Sequence, residues 1–105
     1  MAETNKKDAP GQQRLSVQSD PQTAAGVYSN LMMINHRKEE FILDFLFVQP
    51  QHLAADQATA TLRTRVIASP EHLKRIARAL ETNILKYEQK FGPIKEADDL
   101  PTALH

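Results

Sequence analysis

Asp44 is the single charge inside the apolar run 41–48. Two readings fit a lone carboxylate there. It can face solvent, or it can pair across neighbouring strands with the guanidinium of Arg63 or Arg65. Both roles are structural, since neither supplies a nucleophile or an acid–base pair. The histidines are His36, His52, His72 and His105, and none stands at a metal-ligand spacing from another. Glu39 and Glu40 are consecutive, so a strand would send them to opposite faces. The chain has no cysteine, three glycines and no G-x-S-x-G turn. That leaves no thiolate, no glycine-rich phosphate loop and no nucleophile elbow. No catalytic residue, metal site or cofactor is assigned, and the expectation is a protein that is not an enzyme.

Charge gives a stronger signal. The chain carries no formal net charge, yet residues 59–95 hold eight basic side chains against Glu71, Glu81 and Glu88. Arg63, Arg65, Lys74, Arg75 and Arg78, with Lys86 beyond them, form a candidate basic patch for phosphate or for an acidic protein. The plainer reading is a solvated helix face broken up by Glu71 and Glu81. The patch lacks aromatic residues, which disfavours base stacking on a single strand.

The elements that would position these residues follow from periodicity. Residues 1–25 are polar and short of large apolar side chains, and read as a disordered arm ending at Asp20-Pro21. Residues 26–35 and 39–48 read as strands joined by a turn at His36-Arg37-Lys38. Pro50 closes the second strand. A loop follows, and residues 59–68 read as a third strand rich in β-branched side chains. Ser69 then offers a cap, Pro70 a first helical position and Glu71 a favourable charge at the dipole. Leu73, Ile76, Ala77, Leu80, Ile84, Tyr87 and Phe91 recur at three- and four-residue steps, which predicts a helix over 70–91 stopped by Gly92-Pro93. The fold class is therefore α+β: a three-stranded antiparallel sheet and one long C-terminal helix, a βββα domain over 26–94. Residues 95–105 read as an acidic flexible tail.

This architecture predicts a dimer. Ten-residue strands and the helix would both run about 33 Å, so one helix can cover one sheet face. Strands one and two carry apolar residues on both faces. Tyr28, Met32, Ile34, Ile42, Leu46 and Val48 are the candidate dimer interface, on the face the helix leaves bare. Each such side chain left wet forfeits roughly 1.5–3 kcal/mol, and two-fold self-association is the common remedy. The competing cover is the arm, the 49–58 loop or the tail. Pairing of sheet edges between copies is a further route. Without cysteine, signal-like start or long apolar run, the expected setting is cytoplasmic and away from membrane.

Several runs carry a resemblance. They are Tyr28-Ser29-Asn30, then residues 40–45, then residues 65–75 with Ser69-Pro70-Glu71-His72-Leu73, then residues 80–84, with Tyr87-Glu88 and Phe91-Gly92 after them. Together they resemble a small bacterial family known as domain-of-unknown-function family number 3467, over about residues 26–94. The resemblance implies a short stand-alone protein with polar tails and brings no activity, ligand or catalytic residue. Relatives placed beside RNA polymerase large-subunit genes point toward transcription. The leading expectation is thus a non-enzymatic homodimeric module that meets an unknown protein partner. The alternative is a nucleic-acid- or transcription-associated protein using the basic helix face.

Overall fold

The structure, a computed structural model, describes residues 3–4, 13–49 and 59–96. Its elements run β1 (Glu3–Thr4), β2 (Ser16–Val17), α1 (Pro21–Ala24), β3 (Leu31–His36), β4 (Phe41–Phe47), β5 (Thr61–Ala68) and α2 (Pro70–Phe91). The antiparallel sheet β3-β4-β5 followed by α2 is the expected α+β arrangement. His52, His105, the middle of the 49–58 loop and most of the acidic tail lie outside the described residues.

The segment read as an arm holds two small features. β1 pairs antiparallel with β2, placing Glu3 opposite Val17. Asp20 caps α1 by accepting the Thr23 N–H at 3.0 Å, and Pro21 takes the first helical position. Asp20-Pro21 therefore starts a helical turn as well as ending the arm. Aspartate accepts orphan N–H groups and proline lacks one, so the pair suits a helix start as well as a break.

β4 is the central strand, and its residues pair on both sides. Met32 stands opposite Phe45 and Ile34 opposite Leu43, while Leu31 stands opposite Leu46 and Met33 opposite Asp44. Leu43 in turn meets Val66, and Asp44 meets Arg65. Asn30 extends this ladder with its side chain. Its amide donates to the Val48 carbonyl at 2.7 Å and its Oδ1 accepts the Val48 N–H at 3.0 Å. An asparagine amide carries one donor and one acceptor in the geometry of a peptide group, so it satisfies both backbone atoms of Val48.

A bulge in β5 alters one face. Phe45 pairs with Thr64, but Leu46 pairs with Leu62, so Arg63 is the extra residue. An inserted residue reverses the alternation beyond it. Simple alternation puts Leu62 with Thr64 and Val66; the bulge moves it to the face of Leu46.

α2 matches its expected bounds. Ser69 Oγ accepts the His72 N–H at 3.2 Å, and the Gly92 N–H donates to the Glu88 carbonyl at 2.9 Å. Gly92 has φ +96° and ψ 170°, a region only glycine enters without strain. An added Cβ there would meet nothing within 4 Å, so the cost of substitution is backbone alone. Gly92→Ala is expected to lower stability by about 1–2 kcal/mol, read as a lower urea midpoint at unchanged slope.

The strands are six, seven and eight residues long, shorter than the ten expected. They span roughly 20–27 Å against about 33 Å for the 22-residue helix. Helix and sheet are not matched in length, and the consequence falls on the far end of α2.

Candidate functional site

The two sheet faces differ in how they are closed. On one, Met32, Ile34, Leu43 and Phe45 meet Leu73, Ile76, Ala77 and Leu80 of α2 across an apolar groove of about 350 Å³. This is the face that the helix overhangs without closing on it: no residue of α2 is buried, and Ala77 and Leu80 are exposed. On the other, Leu31, Leu46 and Val48 form a buried cluster with Met33 packed against it.

That division corrects the grouping of the six candidate interface residues. Met32 and Ile34 lie on the face turned toward the helix, while Ile42, Leu46 and Val48 lie on the opposite one. Antiparallel partners share a face, and the hairpin register pairs Met32 with Phe45 rather than with Leu46. Nor is the second face wet throughout. Val48 is 2% exposed in the single chain, and Leu46 is also buried. Tyr28 stands apart from both groups, exposed, with its ring edge-on to Phe47 at 6.1 Å.

The second face carries the one buried charge among the described residues. Asp44 is 5% exposed. Arg65 grips it with two bonds, Nε to Oδ1 at 2.6 Å and an outer nitrogen to Oδ2 at 2.9 Å. Of the two partners the sequence offered, the register selects Arg65, directly opposite on β5. The Arg65 bond holds the Asp44 carboxyl below its ordinary 3.8, outweighing the upward push of burial, and the guanidinium charge adds to the lowering. The same contact raises Arg65.

A depressed carboxyl binds fewer protons in the folded chain than in the unfolded one. Its stabilisation is therefore complete above pH 3.8 and fades as pH falls through the folded value. Asp44→Asn is expected to destabilise the neutral protein and flatten that acid-side decline. Thermal melts of both proteins between pH 2.5 and 7 measure it.

This pairing also breaks up the basic patch. Arg65 is committed on one sheet face, whereas Lys74, Arg75 and Arg78 are exposed on α2, which faces the other across the groove. Arg63 is the bulge residue. The five cations do not form one surface, because alternation along β5 and the side on which α2 docks were free to separate them.

His36 stacks on Phe41 at 5.3 Å, and the His72 N–H serves the helix cap. Among the described residues no group of His, Asp and Glu could hold a metal ion. No helix is long and apolar enough to cross a membrane, among the described residues.

An exposed apolar surface runs along α2. Leu80, Ile84, Leu85, Tyr87 and Phe91 are all about half exposed or more, Phe91 to 65%. The sheet residues lining the groove reach no further along the helix than Leu80. Beyond that point the stripe continues with no described strand residue lining it. Tyr87 and Phe91 touch at 4.9 Å between ring centroids, and Lys90 Nζ sits 5.3 Å from the Phe91 ring. The periodicity of this stripe was plain in the sequence, but it read as core rather than as surface.

A family model described as "Protein of unknown function (DUF3467)" matches residues 1–96. No curated protein and no solved structure matches the chain.

Proposed function

The chain belongs to the DUF3467 family of proteins of unknown function, and we propose that it acts as a non-enzymatic homodimeric protein-interaction module. The exposed stripe from Leu80 to Phe91 carries this reading. Leu80, Ile84, Tyr87 and Phe91 lie along one helix edge, two of them aromatic, and are a costly surface to hold in water. A contiguous apolar patch of this kind marks an interface. A second copy is the partner always present at equal concentration, and two-fold pairing buries the same patch on both chains at once.

Arg75 and Arg78, exposed on the same helix, are the surface proposed to meet a further, acidic protein. The cytoplasmic setting expected of a cysteine-free chain belongs to this reading. Sedimentation equilibrium of the full chain tests it. A species of twice the 11.8 kDa chain mass at micromolar concentration is the expected result. A chain that stays at 11.8 kDa up to millimolar concentration overturns it.

A further inference from the structure

We infer that the second copy pairs antiparallel along α2, sending its Tyr87 and Phe91 into the groove between helix and sheet. The inference rests on the homodimer reading and adds the geometry of the pairing. Leu73, Ala77, Leu80, Ile84, Tyr87 and Phe91 are spaced four, three, four, three and four residues apart. That is the alternating a and d spacing of a helix-pair seam.

The seam is self-complementary when reversed. An antiparallel two-fold centred on Thr82 sets Leu73 against the partner's Phe91, Ala77 against the partner's Tyr87, and Leu80 against the partner's Ile84. Each layer joins a smaller residue to a larger one or two of similar size. A parallel pair would instead stack Ala77 on itself and Phe91 on itself, leaving one layer hollow and another crowded. Leu73, Ala77 and Leu80 are also the seam residues that line the 350 Å³ groove. The reversed partner thus delivers its exposed aromatic end to the place where this chain has unfilled apolar space.

Charge favours the same direction. Flanking the antiparallel seam, Lys74 falls beside the partner's Glu88, and symmetry repeats the contact. Glu81 meets the partner's Glu81 near the axis, but it is exposed and solvent screens it. The parallel arrangement provides no opposite-charge pair across the seam. Antiparallel helices also set their dipoles head to tail.

Two sets of variants test the pairing. The chain has no native cysteine, so introduced thiols report without background. Ala77→Cys with Tyr87→Cys in one chain is expected to give a disulfide-linked dimer on mild oxidation. Within one helix the two positions are about 15 Å apart, too far to bridge. Ala77→Cys alone is expected to stay unlinked. The second set avoids the core: Lys74→Glu alone should weaken dimerisation about five- to thirtyfold, and adding Glu88→Lys should restore it, even though that change gives up the 2.9 Å bond from the Ile94 N–H to Glu88 Oε2. A dimer in which the 77/87 pair fails to link and the double reversal fails to recover overturns the pairing while leaving the homodimer reading intact. Linking by Ala77→Cys alone overturns it in favour of parallel helices. A monomeric wild-type chain removes both proposals.

Discussion

Ile84→Glu is expected to raise the dimer dissociation constant by about tenfold to a hundredfold or more. Ile84 is 48% exposed in the single chain, so the monomer gives up little when it is replaced. In the proposed dimer it becomes buried beside the partner's Leu80, and symmetry doubles the loss. Only the exposed half of the side chain is left to bury, so about 0.7–1.5 kcal/mol is lost from each copy, about 1.4–3 kcal/mol per dimer, at about 1.4 kcal/mol per factor of ten. The introduced carboxylate adds an unpaired charge to the seam, so the loss should not fall below the lower figure. Sedimentation of the variant measures the constant, and its circular dichroism should match the wild type. A variant that dimerises as tightly as the wild type would show that the stripe is not the contact.

Leu43→Ala should lower folding stability by about 2–5 kcal/mol. Leu43 is 7% exposed, sits on the central strand between Ile34 and Val66, and lines the groove beneath α2. Its removal widens a space that is already incompletely filled. Neighbours on both sides are held by ladder bonds, so the site cannot collapse to recover the lost contacts. Urea denaturation at fixed protein concentration reads the loss. A loss below 1 kcal/mol would mean that Leu43 is not part of the folded core.

Much of α2 could be read directly. Ser69, Pro70 and Gly92 act within one turn of themselves, so the bounds 70–91 depend on neighbours in sequence and on nothing distant. The three strands could be recognised from β-branched and aromatic runs, though their ends were placed too far out. The last ladder pairs depend on what the adjacent strand supplies, and no strand determines that alone. β1, β2 and α1 were missed because elements of two to four residues show no period. Asn30 was missed because its use as a peptide mimic depends on Val48, eighteen residues away.

The candidate surface was only half legible. Each strand's two faces follow from alternation, but alternation does not say which face of one strand joins which face of the next. A single residue more or less in the turn reverses that assignment. So the sequence could offer Asp44 both Arg63 and Arg65, and only the register chose between them. For the same reason it grouped Met32 and Ile34 with Leu46 and Val48, which the hairpin separates.

From its residues alone this protein sets its local geometry: where the helix begins and ends, which segments extend, and that the helix bears one apolar stripe. Those outcomes rest on backbone preferences and caps that act over a few residues. Tertiary structure decided which arginine grips Asp44 and which sheet face the helix overhangs. Such outcomes depend on pairing register and on the relative lengths of packed elements. The helix is longer than its strands and does not close on the sheet, and that leaves Leu80, Ile84, Tyr87 and Phe91 for another surface to bury.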